Sequence, residues 1–167
     1  MLDLRMDSLI RLAKERDADA FTALMDAQTA GMYKVARAIL QNDEDAADAI
    51  GDTILVCWEK LETLKENRYF KTWLTRILIN HCYEILRSRS RFSGAEEIPE
   101  ISGRDDYRIE WKEALSTLTE EYREVIVLYY SQGFRTKEIA RILGIPQATV
   151  RTRLSRAREH LAEYYKG

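Results

Sequence analysis

Residues 136–154, TKEIARILGIPQATVRTRL, hold two short amphipathic segments on either side of a Gly-Ile-Pro turn. Ile139, Leu143, Ile145, Val150 and Leu154 recur at helical spacing and can fill one shared core. Ala140 is small enough for a second helix to cross closely, Gly144 can supply the left-handed residue that ends the first helix, and Pro146 suits the start of the next. Together these constraints spell a helix-turn-helix. On the second helix Val150, Leu154, Ala157 and Leu161 make the inward stripe, which turns Ala148, Thr152 and Ser155 outward between Arg151, Arg153 and Arg156. Small polar residues between arginines let a helix end enter a major groove without blocking itself. In an ordinary solvated αα corner, the arginines at 151, 153, 156 and 158 would repel one another with no acid before Glu159, a cost that phosphate offsets. Duplex DNA is the expected ligand of this face.

Upstream the chain reads as helical throughout, with only two prolines, Pro99 and Pro146. Phe21, Leu24, Met25, Met32, Val35, Ala36 and Ile39 trace one apolar face. Ala46, Ile50, Ile54, Cys57 and Leu61 trace a second, and Phe70, Trp73, Leu74, Ile77, Leu78 and Ile85 a third. No clean period-two alternation competes, so the expected class is all-α with essentially no sheet. The pattern fails in SGAEEIPEISGRDDYR, residues 93–108, where two glycines and Pro99 puncture an acidic segment. The expected organisation is therefore a helical domain over 1–92, a flexible acidic linker over 93–108 and a second helical domain over 109–167.

The chain has 167 residues and 26 Lys+Arg against 28 Asp+Glu, a net charge of −2 that at first speaks against nucleic acid. Along the chain the total is a cancellation of blocks: −6 over residues 43–66, +5 over 68–91, −4 over 93–110 and +6 over 133–158. Two basic blocks, each beside an acidic one, favour phosphate partners over mere solvation. The longest apolar run, Val125–Tyr130, is too short to cross a bilayer, which takes about 20 residues. MLDLRMDSLI interrupts its apolar residues with charge and lacks the core of a secretory signal, so a cytoplasmic protein without membrane insertion is expected. Cys57 and Cys82 lack partners at metal spacing and read as small buried hydrophobes. With isolated histidines and no glycine-rich phosphate loop, neither catalytic residues, a metal nor a cofactor is expected, and the protein is not read as an enzyme.

The second informative segment is RYFKTWLTRILINHCYEILR, residues 68–87. With Phe70, Trp73, Leu74, Ile77 and Leu78 turned inward, Thr72, Arg76, Ile79, Asn80, Tyr83 and Arg87 line the opposite side. Cations, an amide and an aromatic on one stripe suit unpaired bases, which need charge neutralisation, a stacking surface and an edge reader. DEDAADAIGDTILVCWEKL (43–61) followed by FKTWLTRILINHCYEILRSRSR (70–91) resembles region 2 of the bacterial RNA polymerase sigma factors of extracytoplasmic-function type. LTEEYREVIVLYYSQGFRTKEIARILGIPQATVRTRLSRAREHL (118–161) resembles their region 4. The resemblance covers roughly residues 18–91 and 112–162, in the family's order.

That resemblance implies a fold, partners and roles. The fold is a region 2 helical bundle and a region 4 helix-turn-helix. The helix matching 43–61 binds the clamp helices of core RNA polymerase, which makes Asp48, Asp52 and Trp58 candidates for that surface or its support; region 4 meets the flap. The loop and helix matching 66–87 open and read the minus-10 element of promoter DNA, through Asn67, Arg68, Lys71, Arg76, Asn80, Tyr83 and Arg87. The recognition helix reads the minus-35 element through Arg151, Thr152, Arg153, Ser155 and Arg156. A membrane-linked anti-sigma factor is an implied partner. One position departs from the family, which usually carries Gln where Gly51 precedes Asp52. The 16 linker residues span roughly 53 to 58 Å when drawn out but only about 20 to 24 Å when relaxed. A compact free protein with partly hidden DNA faces, opening on polymerase, is expected. The competing reading is a stand-alone regulator that binds duplex operators through the same motif, although the chain offers no obvious dimerisation helix.

Overall fold

The computed structural model describes residues 3–92 and 106–166, and among them every regular element is helical. Helices α1 (Leu4–Lys14), α2 (Ala18–Leu40), α3 (Asp43–Lys60) and α4 (Phe70–Phe92) form the N-terminal bundle. Helices α5 (Asp106–Ser116), α6 (Glu120–Ile126), α7 (Thr136–Leu143) and α8 (Gln147–Lys166) form the C-terminal one. The all-α expectation holds. Residues 93–105 of the expected linker lie outside the described residues, and residues 106–108, assigned to it from composition, already belong to α5.

Local chemistry explains where the helices begin and end. The Asp3, Asp17 and Asn42 side chains accept backbone N–H groups of Arg5, Ala20 and Asp45, satisfying donors that the first turns of α1, α2 and α3 leave open. Each such cap contributes about 1 kcal/mol. Gly144 adopts φ 69°, and the Ile145 N–H reaches back to the Ala140 carbonyl at 3.1 Å, so α7 stops where the glycine permits. At its other end Glu138 accepts the Arg135 N–H at 3.0 Å. Beyond Ile126 the chain of α6 continues but widens to a π turn over Val127–Ser131, with Gln132 N–H bonded to the Val127 carbonyl at 3.0 Å.

In the N-terminal bundle α2 packs against α1, α3 and α4, and Leu24, Ala36, Ala46, Cys57, Leu74 and Leu78 are sealed at its centre. Ile139, Val150, Leu154 and Ala157 close the helix-turn-helix, with Leu161 partly buried beside them. Each fully buried Leu or Ile contributes about 1.5 to 3 kcal/mol. The two bundles share one apolar core, because α6 and the π turn lie against α2 while α7 lies against α4. Ile79, placed on the outer stripe of α4 by its spacing, is fully buried in that joint core. A helical period shows which residues share a face, and it cannot show that a second bundle covers that face.

Candidate nucleic-acid interface

The recognition helix α8 buries Val150 and Leu154 and turns Arg151, Thr152, Ser155 and Arg156 to solvent, as the spacing requires. Thr152 Oγ1 bonds back to the Ala148 carbonyl at 3.0 Å. Arg153 differs from its neighbours. Its side chain is 22% exposed and lies 3.7 Å from Glu121 and 3.9 Å from Glu124 of α6, so the recognition helix presents one arginine to its own bundle.

On α4, Arg76 and Asn80 stand one turn apart and exposed, and Arg87 is exposed two turns beyond. Lys71 and Tyr83 of the same set are engaged by the C-terminal bundle. Lys71 Nζ donates to the Gln132 carbonyl at 2.9 Å and stands 5.2 Å from the Phe134 ring centre. Tyr83 donates its hydroxyl to Glu124 at 2.5 Å, and burial together with that carboxylate pushes its pKa upward. Thr72 reaches Glu138 at 3.5 Å. Glu124 is 3% exposed, and burial, the largest influence on it, pushes its carboxyl up to about 7.

The loop before α4 closes with a 3-10 turn over Asn67–Tyr69. Arg68 is exposed, pairs with Glu66 at 2.7 Å and lies over the Tyr69 ring at 4.8 Å. Asn67 is half-buried, its amide bonded to Lys14 and Asp7 of α1. Sequence spacing linked none of these loop residues to α1, because the partners lie 53 and 60 positions away.

Asp48 and Asp52 are exposed on one face of α3. Gly51 sits between them in the helix interior, and a Cβ built there would meet nothing within 4 Å. Trp58 packs inside the bundle. Its ring meets Phe21 edge-on at 4.8 Å between centres, and the Arg16 guanidinium covers it at 5.0 Å. Arg123 is a residue that sequence reasoning missed: 9% exposed, it donates from Nε to the Ala38 carbonyl of α2 at 2.7 Å and from Nη1 to the Leu118 carbonyl at 2.5 Å. Its only signal in the sequence is a cation just ahead of the long apolar run. No helix among the described residues is long and apolar enough to cross a membrane.

Two family models match the chain, Sigma-70 region 2 over residues 29–92 and Sigma-70, region 4 over residues 108–161. The ECF RNA polymerase sigma factor SigM of Mycobacterium tuberculosis is 30% identical over 151 residues, covering 87% of this chain and 77% of that one. Among solved structures, CnrH in complex with the cytosolic domain of CnrY superposes with a TM-score of 0.73 at 27% identity, covering 97% of each chain. The sigma factor RpoE of Bartonella quintana, in complex with the anti-sigma factor NepR, gives a TM-score of 0.73 at 28% identity, covering 87% of this chain and 96% of that one.

Proposed function

The chain belongs to the extracytoplasmic-function sigma factors of the sigma-70 family and directs RNA polymerase to promoters, and on that premise we propose which of its surfaces meets each half of the promoter. In this reading α8 enters the major groove of the minus-35 element with Arg151, Thr152, Ser155 and Arg156, joined by Arg153 once it leaves α6. The loop at 67–69 and the outer face of α4 open and read the minus-10 element, with Arg76 and Asn80 foremost. The exposed Asp48–Asp52 face of α3 docks on the polymerase clamp, with Trp58 as internal support. The N-terminal and C-terminal bundles act as separate units on the two DNA elements, joined through residues 93–105. The protein works in the cytoplasm, by binding alone and without covalent chemistry.

The observation that supports this reading is the coexistence, in one chain, of an exposed arginine-flanked recognition helix and an exposed Arg76–Asn80 pair on a helix of the other bundle. A stand-alone operator binder has use for the first and none for the second. We further propose that the packed arrangement is the resting state. In it Lys71 and Tyr83 of the minus-10 set and Arg153 of the minus-35 set are held by contacts within the chain. Polymerase, by drawing the bundles apart, releases all three. The complexes of CnrH with CnrY and of RpoE with the anti-sigma factor NepR make an anti-sigma protein an expected partner of this chain also.

The test is reconstitution of core RNA polymerase with this protein on a library of promoter fragments. Transcription that depends on both proteins and selects a two-part sequence is the expected result. Specific duplex binding without polymerase, coupled with no transcription in its presence, would overturn it in favour of the stand-alone regulator.

A further inference from the structure

We propose that Lys14 and Asp7 of α1 are positioning residues for Asn67, so that the base preference of the minus-10 loop is set in part from the first helix. The inference rests on the assignment of residues 67–69 to the minus-10 surface. Lys14 Nζ donates to the Leu64 carbonyl and to Asn67 Oδ1, both at 2.6 Å. Asn67 Nδ2 in turn donates to Asp7 Oδ1 at 3.1 Å. A side-chain amide has an acceptor end and a donor end of nearly the same shape, and free in a loop it turns either way. Here a cation holds the acceptor end and a carboxylate holds the donor end, so reversing the amide would set like against like twice.

The same ammonium ties down the loop backbone at Leu64. Otherwise the backbone of this loop is held locally by the Leu64 N–H on the Leu61 carbonyl and the Tyr69 N–H on the Glu66 carbonyl, both at 3.1 Å. Beside this network α1 and residues 65–68 border an open cleft of about 710 Å³, whose lining sets the cations Arg11, Lys14, Lys65 and Arg68 against the acids Asp7, Glu15 and Glu66 around Asn67. Asn67 keeps one amide hydrogen and one lone pair beyond those its two partners use, enough to read a base edge from a fixed orientation. Charge-assisted bonds are the strong ones, and their loss frees both the amide and the loop backbone.

The experiment compares Lys14→Met, Asp7→Ala, Asn67→Ala and Lys14→Arg in the full chain, each with core polymerase on promoters differing at single minus-10 positions. Lys14→Met and Asp7→Ala are expected to reduce the ratio of best to worst base about tenfold at one position, the one that Asn67→Ala also relaxes. Core affinity and minus-35 preference stay unchanged, and Lys14→Arg, whose guanidinium can bridge the same two acceptors, retains discrimination. Full discrimination in Lys14→Met and Asp7→Ala, with Asn67→Ala relaxed, would refute positioning while sparing the loop assignment. Unchanged preferences in Asn67→Ala would remove the loop assignment and the proposal with it. A uniform loss on every promoter, in Lys14→Arg as much as in Lys14→Met, would make the cluster merely structural and also overturn the proposal.

Discussion

Glu124 concentrates the chemistry of the joint between the bundles in one carboxyl group. It faces Tyr83 of α4 and Arg153 of α8, with Glu120 and Glu121 beside it on α6. Burial and the two acids raise its pKa while Tyr83 and Arg153 oppose the rise, and the net result is a shift from 4.5 to about 7. An acid whose folded pKa lies above its unfolded value binds its proton more tightly when folded, so its contribution is fully present below the unfolded value and fades as pH rises through the folded one. The thermal midpoint should therefore fall between pH 4.5 and pH 7, by an amount on the order of 3 kcal/mol in stability. Glu124→Gln should flatten most of that slope, leaving the smaller part that Glu120, raised in the same direction, supplies. A wild-type slope retained in Glu124→Gln would show that the carboxyl titrates elsewhere. None of this was readable from the sequence, where Glu124 is one more helix acid and Tyr83 stands 41 positions away. The cysteines were readable: both are free and buried, and burial pushes each thiol up to about 12. Cys57 and Cys82 should resist alkylation in the folded protein at pH 8 and react in denaturant, as mass spectrometry can follow.

At the scale of the element, α3 carries a weakness in view of the solvent. Gly51 lies mid-helix with open space where a side chain would project, so Gly51→Ala removes a backbone entropy cost without meeting a neighbour. The expected gain is about 1 kcal/mol, read as a higher denaturation midpoint with an unchanged slope. Gly51→Gln, which restores the residue usual in the family, should in addition tighten binding to core polymerase. A stability gain with no change in affinity would move the docking face away from this turn. For α4, Asn80→Ala should impair promoter opening while polymerase affinity holds, measured by permanganate footprinting beside a core-binding assay. Loss of core binding instead would mean that α4 docks protein rather than DNA. Periodicity served these helices well wherever one bundle alone decides burial, as with Leu74 and Leu78. It misplaced Ile79 because burial there depends on α4 meeting a helix from the other end of the chain. Gly31 on α2 faces the same joint, where a Cβ would come 2.6 Å from Oε1 at the free end of the Gln132 side chain, a contact that a turn of that side chain relieves.

For the whole molecule the question is how firmly the bundles hold together, and Arg123 is the residue through which to ask it. Its guanidinium is almost wholly buried between a carbonyl of α2 and one at the start of α6, so Arg123→Ala leaves the Ala38 and Leu118 oxygens without that donor and opens a void between the bundles. Leaving a buried acceptor unpaired costs about 1 to 3 kcal/mol, and the part due to Ala38 falls on the joint, because Ala38 belongs to α2 while Arg123 and Leu118 belong to the C-terminal bundle. A packed chain of this length should have a radius of gyration of about 15 Å. Separated bundles on an extended linker should exceed about 20 Å. Small-angle scattering of the free wild-type chain is expected to give the smaller value and Arg123→Ala a larger one. If the contacts of the packed state restrain Lys71, Tyr83 and Arg153, the opened variant should also bind minus-35 duplex more tightly without polymerase, with a steeper salt dependence as the freed cations meet phosphate. An extended wild-type chain would end the resting-state proposal. A variant that opens without gaining duplex affinity would leave the packing in place as architecture and remove its role in restraining DNA binding. The near-neutral total charge makes the outcome informative, since the acidic blocks oppose unaided DNA binding while the joint holds two of the chain's cations, Lys71 and Arg153.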